Sequence, residues 1–176
     1  TDDQISAILE LKKSTIINSG FQVQSNLPEA QKFIMDQLED VDFEQALYQV
    51  LTGFDYGFSL TEITLGEDEG LIGLHSLKTR APHTFEFQQD DSGMVTVVKQ
   101  YGAKGGDVWI PYGKFIHYVH GPEFDNPYGN SEMNRGVYTA WWSKKAVIKF
   151  WNIYLERFGS PMAVGKYDKN LTPQDQ

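Results

Sequence analysis

Residues 131–158, SEMNRGVYTAWWSKKAVIKFWNIYLERF, are the stretch that decides how this chain is organised. Ser131 or Asn130 is a favourable residue to cap a helix, and Gly159 followed by Pro161 is a typical stop signal. The stretch therefore predicts one long helix over 131–158, which at about 1.5 Å per residue would be roughly 40 Å long.

Two apolar stripes run along this predicted helix. One comprises Met133, Val137, Trp141, Ile148, Trp151, Leu155 and Phe158, and the other comprises Tyr138, Trp142, Ala146, Phe150 and Tyr154. A helix that is apolar on most of its circumference is buried on several sides. A domain this small can hardly cover both stripes, so we expect an oligomer, or the rest of a longer chain, to cover one. The predicted oligomer-interface residues are Trp141, Trp142, Trp151 and Tyr154.

Three lysines, Lys144, Lys145 and Lys149, follow the tryptophan pair on the same helix. They indicate electrostatic contact with nucleic acid or with an acidic neighbouring subunit. The commoner interpretation of such a pattern is a solvated helix face, here partly paired with Glu156.

Upstream of this helix, residues 58–120 are rich in β-branched and aromatic residues. They predict strands near 58–65, 71–79, 84–89, 94–100 and 114–120. Residues 90–93 predict a hairpin turn, and the poor alternation of the first strand predicts a bulge or burial of both its faces. Residues 101–106 resemble a phosphate-binding loop only superficially, because the order of Lys and Gly is wrong, and they predict a flexible loop.

Three helices are predicted before residue 58. Their start signals are Asp2 or Asp3, a capping box of Asn26 with Glu29, and Asp42 with Gln45. The first is expected to end near Lys13 and to be followed by a short extended piece, and the third is expected to continue to Phe54. The fold class is therefore α+β, with N-terminal helices, a central mixed or antiparallel sheet region and one long C-terminal helix.

Composition excludes several classes of function. A net charge of −9 and a pI near 4.8 argue against a surface that grips DNA phosphates throughout. The absence of cysteine excludes disulfides and thiolate metal sites, and no apolar run is long enough to span a membrane. The chain starts with Thr1, shows no signal peptide and ends in a polar stretch, so we expect a piece of a longer protein.

Residues that could carry chemistry have simpler explanations. His117 and His120 lie three apart in a predicted strand, where they would point to opposite faces, so no metal site is expected. The acidic stretch 66–70 predicts a solvated hairpin tip. No nucleophile, zinc or dinucleotide motif occurs, so neither an enzyme nor a cofactor is expected.

Five short stretches together resemble the portal proteins of Mu-like tailed phages. They are residues 54–63 (FDYGFSLTEI), 114–117 (KFIH) after Pro111, 126–131 (NPYGNS), 141–145 (WWSKK) and 156–161 (ERFGSP). Each stretch alone is weakly specific, but all five occur in the family's order over more than half of the chain.

The resemblance implies a subunit of a homo-oligomeric ring at the portal vertex of the virion, assembled in the host cytoplasm. Double-stranded DNA would pass through the ring, and the packaging terminase, the capsid and head-completion proteins would be its partners. Residues 1–130 would then form a wing-like domain, 131–160 a stem-like helix, and 161–176 the start of a clip-like segment. The acidic composition suits a channel in which DNA slides, since like charges do not stick.

The sequence is compatible with two other interpretations. A phage head–tail adaptor without a channel would share the α+β pattern, but it should bury the long helix within its own fold. A hydrolase that uses carboxylates such as Glu62 or Asp125 predicts a deep pocket around a carboxylate of perturbed pKa.

Overall fold

The computed structural model describes residues 2–68, 70–103, 105–159 and 164–166, and the chain divides into two compact units between Val137 and Tyr138. The helices of the first unit are α1 (Asp3–Asn18), α2 (Pro28–Asp40), α3 (Phe43–Val50) and α4 (Gly53–Tyr56). Its strands are β1 (Phe58–Asp68), β2 (Leu71–Arg80), β3 (Phe85–Gln89), β4 (Val95–Ala103), β5 (Gly106–Pro111) and β6 (Phe115–Val119). The described part of the second unit is dominated by α5 (Val137–Phe158). The predicted α+β fold class is confirmed.

The described strands form two three-stranded antiparallel sheets, ordered β2-β1-β6 and β3-β4-β5. The predicted hairpin at 90–93 is confirmed, because Asp90 Oδ1 accepts hydrogen bonds from the backbone of Ser92 and Met94 between β3 and β4. The predicted bulge in β1 is also confirmed, as a register shift between Thr64 and Leu65.

Strand β5 was not among the predicted strands. The stretch 101–106 predicted a flexible loop, but residues 101–103 extend β4 and Gly106 begins β5, with Ala103 paired to Gly106. Lys104 of this stretch and Glu69 of the acidic stretch 66–70 lie outside the described residues. Residues 108–110 carry a strand signal, but the three glycines between Tyr101 and Asp107 favour a loop, because glycine has low strand propensity and suits a tight turn.

The core lies between the two sheets. Phe58 and Leu60 of β1 and Phe115 of β6 pack against Phe85, Phe87 and Val98 of the other sheet. Ser59 and Thr61, on the opposite face of β1, are also fully buried. The Ser59 hydroxyl donates to the carbonyl of Val50 at 2.6 Å, and the Thr61 hydroxyl hydrogen-bonds to that of Thr79 at 2.7 Å. Strand β1 is therefore covered on both faces.

Helix α1 is longer than predicted. Asp2 caps it as expected, accepting hydrogen bonds from the backbone of Gln4 and Ile5. The predicted end near Lys13 and the extended piece after it are wrong, because the helix continues to Asn18. Although β-branched residues at 15–17 favour a strand, adding a turn to an existing helix costs less than starting a new element.

Of the predicted starts of the other two N-terminal helices, one is wrong and one is confirmed. The prediction of a capping box at Asn26 is wrong. Leu27 occupies the cap position of α2 and makes no side-chain capping hydrogen bond, and Pro28 begins the helix. Asp42 caps α3 as predicted and accepts from the backbone of Gln45.

The single helix predicted to reach Phe54 is in fact two helices, α3 and α4. The break falls at residues 51–52, where the Thr52 hydroxyl turns back to the carbonyl of Gln49. Gly53 then lets the Tyr118 ring approach the backbone, where any Cβ would clash.

The long helix begins later than predicted. Ser131 caps a short 3-10 turn, Glu132–Asn134, and accepts from the backbone of Met133. Gly136 follows with a φ of +87°, which interrupts any continuous helix, so α5 starts at Val137. Its 22 residues make it about 33 Å long rather than 40 Å.

The two leucines of β1 allow a matched test of the core. Leu60→Ala removes a fully buried side chain and should lower the free energy of unfolding by about 2 to 5 kcal/mol. Leu65→Ala removes the same atoms from a site that is 63% exposed and should change it by no more than about 0.5 kcal/mol. Urea denaturation of both variants measures the difference, and equal effects would contradict the core described above.

Candidate interface helix and the junction of the sequence motifs

Helix α5 exposes nearly all of its apolar side chains. None of its residues is buried, and Trp142, Phe150 and Trp151 are each more than 60% exposed. Monomeric proteins rarely expose contiguous apolar patches of more than a few hundred Å². The exposed side chains of α5 are therefore the strongest indication of a partner surface among the described residues.

The four predicted interface residues surround α5 rather than share one face. Trp142 and Trp151 are nine residues apart and so point in roughly opposite directions, since consecutive residues are about 100° apart. Trp141 lies on the side of Trp151, and Tyr154 lies between the two directions. The predicted stripes omitted Val147 and Ile153, which are also exposed and further narrow the polar part of the circumference.

The three predicted contact lysines do not form one cluster. Lys145 and Lys149 are one helical turn apart and share a polar strip with Asn152 and Glu156, whereas Lys144 points about 100° away. Lys145 Nζ lies 4.2 Å from the centre of the Trp141 ring, which is a favourable cation–π distance.

Three of the five motif stretches, 54–63, 114–117 and 126–131, lie in the first unit and meet in one place. We call residues 54–58, 117–121 and 126–131 the motif junction. The backbone of His120 donates to the carbonyl of Gly57 at 2.8 Å and accepts from the backbone of Asn130 at 2.8 Å. The Ser131 hydroxyl, which is buried, donates to the carbonyl of Asp55 at 2.6 Å.

Two glycines are required for this close approach. Gly57 and Gly129 both have positive φ, at 94° and 56°. A Cβ on Gly57 would collide with the carbonyl oxygen of Tyr128, and one on Gly129 would collide with that of Gly57. The Tyr-Gly pair in each motif thus has a physical reason, because the two turns touch through their backbones.

A buried ion pair anchors α1 to the junction. Lys13 is 3% exposed, and its Nζ lies 2.7 Å from Oδ2 of Asp55. Burial alone would lower the pKa of Lys13, but the hydrogen bond and the charge of Asp55 raise it above its usual value. Oδ1 of Asp55 is buried and has no hydrogen-bond partner among the described residues, so the carboxylate depends on this lysine.

His117 lies in an aromatic cage within the junction. Its ring stacks on Phe87 at 4.6 Å, and its Nε2 lies 2.9 Å from the carbonyl oxygen of Pro127. Because a carbonyl only accepts, Nε2 carries the proton, and Nδ1 accepts from the Tyr112 hydroxyl at 3.0 Å. Burial lowers the pKa of His117, so the neutral ring suits this site.

His120 has different partners. Its Nε2 lies 2.8 Å from Oε1 of Glu132, and Lys12 Nζ is 3.5 Å from the same oxygen. The hydrogen bond from His120, followed by the charge of Lys12, lowers the pKa of Glu132. This cluster ties α1 to the turn that follows the junction. The two histidines therefore act separately, and no group of metal-ligating side chains occurs among the described residues.

The carboxylates proposed for hydrolysis lack the surroundings of a tuned general acid. Glu62 is paired with Arg80 at the surface, at 2.5 Å. Asp125 borders an open cleft of about 750 Å³, and its side chain is exposed. A catalytic general acid of this kind lies in an enclosed apolar site, and neither residue occupies one.

The comparisons with known proteins agree with the motifs. The family model described as the portal protein of Mu bacteriophage matches residues 1–176. The chain belongs to the Mu phage portal protein family. The match confirms the resemblance and extends it to residues 1–53, where no motif was recognised. No curated protein matches the chain.

For this portal chain, the motifs of the first unit have a structural role. They form the junction that joins α1, β1 and β6 to the turn before α5. Portal proteins are structural components of the phage virion, which agrees with the absence of catalytic motifs from the sequence. Within the described residues, no helix is both long and apolar enough to cross a bilayer.

Sequence reasoning missed the Lys13–Asp55 pair, although a signal was available. Lys13 follows Ile5 and Leu9 at intervals of four, so it continues the apolar face of α1. A lysine on that face indicates a buried charge that needs a partner, but its partner is 42 residues away and cannot be read from spacing.

Removing the charge of Asp55 tests the buried pair. Asp55→Asn should lower the free energy of unfolding by about 1.5 to 3 kcal/mol, the typical contribution of a hydrogen bond to a charged group, because the buried Lys13 then keeps only the longer contact with Glu10 at 3.7 Å. Asp36→Asn, the same change at an exposed site of α2, should cost no more than about 0.5 kcal/mol. Urea denaturation compares the two, and a small effect at Asp55 would show that the pair is not a stabilising constraint.

The lowered pKa of His117 predicts a pH dependence of stability. The folded state holds His117 neutral, so its contribution is complete above the pKa of the unfolded chain and is lost as pH falls below it. The portal chain should therefore lose free energy of unfolding between about pH 7.5 and pH 5. His117→Gln, which cannot titrate, should lose less over the same range, and parallel pH profiles would rule out this cause.

Proposed function

We propose that this chain is a subunit of a portal ring at one vertex of the capsid, through which double-stranded DNA enters and leaves. In this proposal α5 is the helix that neighbouring subunits cover. The observation that carries the proposal is the exposure of α5 around most of its circumference.

The amount of exposed apolar surface on α5 supports an obligate interface. Ten large apolar side chains of this helix are exposed: Tyr138, Trp142, Val147, Ile148, Phe150, Trp151, Ile153, Tyr154, Leu155 and Phe158. Fully burying one such side chain contributes about 1.5 to 3 kcal/mol. Since the exposed residues surround the helix, one partner surface could not cover them all. Contacts on several sides are what a helix packed between ring neighbours would receive.

Membership of the portal family supports the remaining parts of the proposal. The family implies oligomerisation and association with the capsid and the packaging terminase, and hence a place at the portal vertex of the virion. Head-completion proteins would be further partners. The net charge of −9 suits passage of DNA, because an acidic protein repels phosphates and lets the duplex slide.

The adaptor interpretation is less well supported. An adaptor should bury the long helix within its own fold and leave one apolar face at most. Among the described residues, none of α5 is buried, and its exposed aromatic side chains point in opposite directions. Residues 160–163 and 167–176, which include most of the clip-like segment predicted at 161–176, lie outside the described residues.

Self-association through α5 can be tested with two substitutions that introduce the same charge at different places. Trp151→Glu places a charge in the apolar circumference and should weaken self-association by about thirtyfold or more, the effect of losing roughly 2 kcal/mol at an interface hot spot. Gln88→Glu introduces the same charge at an exposed position of β3 and should leave association nearly unchanged. Light scattering over a range of protein concentrations gives the mass of each variant.

Circular dichroism provides the control that both variants keep the wild-type fold. A wild-type chain that stays monomeric at every concentration, or equal effects of the two substitutions, would argue against α5 as an interface of this chain.

A further inference from the structure

Helices α2 and α3 present a second apolar surface that the described residues leave uncovered. No residue of α2 is buried, and Phe33, Ile34 and Met35 are each about 40% exposed. Beside them is a groove of about 290 Å³, whose apolar lining is Phe21, Met35, Leu38 and Phe43. Phe21 and Phe43 meet edge to face at 4.9 Å and form part of that lining.

The groove has an acidic rim. Glu39, Asp42 and Glu44 line it together with the apolar residues. Residues 28–44 contain six carboxylates and only one basic residue, Lys32. We call residues 28–44 with Phe21 the acidic groove. A surface that combines exposed aromatic rings with an excess of carboxylates fits an apolar partner that carries positive charge.

Helix α5 has that combination of properties. It contains four basic residues, Lys144, Lys145, Lys149 and Arg157, and a single acidic one, Glu156. On its polar strip Lys145 and Lys149 lie one turn apart, with Trp141 on one side and Trp142 on the other. One face of α5 thus presents two cations between two indole rings.

We propose that the acidic groove of one copy of this chain receives α5 of a second copy. Lys145 and Lys149 lie against the rim carboxylates Glu39 and Glu44, and a tryptophan of the pair at 141–142 packs on the apolar lining. This inference rests on the proposed function, in which neighbouring subunits cover α5, and it names the surface that covers one side of the helix.

The proposed docking also decides between the two contacts predicted for the lysines, one with nucleic acid and one with an acidic neighbouring subunit. In this docking Lys145 and Lys149 form ion pairs with carboxylates of the neighbouring groove, so they contact an acidic subunit rather than DNA phosphates. The carboxylates of the groove also repel DNA. Because the groove and the helix are different surfaces, the contact is heterologous. Repetition of a heterologous contact gives a ring when the rotation closes.

The absence of cysteine from the chain allows a clean cross-linking test. Glu44→Cys marks the groove and Lys149→Cys marks the helix, each in a separate full-length chain. The two proteins are mixed and treated with a short bis-maleimide, and heterodimers are identified by mass spectrometry. Asp91→Cys, an exposed acidic position in the β3–β4 turn, replaces the groove variant as the matched control.

The expected result is a cross-linked dimer from the groove and helix variants, with a yield several-fold higher than with Asp91→Cys. Equal yields, or no dimer, would overturn the proposed docking. A chain carrying both substitutions reports the alternative in which the contact forms within one copy. Efficient intramolecular cross-linking at high dilution, without heterodimers in the mixture, would also overturn it.

Charge reversal supplies a second readout. The double substitution Lys145→Glu with Lys149→Glu should weaken self-association, and mixing with Glu39→Lys, Glu44→Lys should restore it. Light scattering separates this inference from the proposed function. If the wild-type chain oligomerises but shows neither cross-link nor charge rescue, the docking is wrong while the proposed ring subunit stands. If the chain does not oligomerise, the role of α5 fails as well.

Discussion

The burial of β1 on both faces is the constraint on which the first unit depends. Its residues 59–61 have no solvent exposure, so each face needs its own cover. One face carries Leu60, which packs against the apolar side chains of the second sheet. The other carries Ser59 and Thr61, whose hydroxyls are satisfied by α3 and β2. An unsatisfied hydroxyl there would cost about 1 to 3 kcal/mol, so the position of β1 fixes both its helical and its strand neighbours.

Features that depend on neighbouring residues could be predicted from the sequence. Asp42 and Asp90 bond to backbone amides within four residues of themselves, so the helix cap and the hairpin turn that they form are local features. Features that depend on distant residues could not. The break before Gly53 accommodates Tyr118, and the turn that delays α5 is held by Ser131, which bonds to Asp55 from 76 residues away. Local propensity carries no information about such contacts.

The candidate interface was predictable to a similar degree. The aromatic residues of α5 were identified because their spacing left too little polar circumference for a small domain to bury. The sequence of α2 repeats apolar residues at helical spacing, which favours a covered face, yet the structure leaves Phe33 and Ile34 exposed. A helical apolar pattern shows that a face prefers to be covered, but it does not say whether the same chain supplies the cover. Only the exposure of each side chain in the fold distinguishes the two cases.

The opposite charges of the two apolar surfaces bear on the symmetry of any assembly. If two copies paired through the polar strip of α5, Lys145 and Lys149 of each helix would approach those of the other, and two acidic grooves would repel in the same way. Such self-complementary pairings close after two copies, so a ring needs them to be disfavoured. At physiological ionic strength charges act over about 8 Å, and exposed pairs contribute little affinity. Apolar burial therefore supplies the strength of association, and the charges select which surfaces meet.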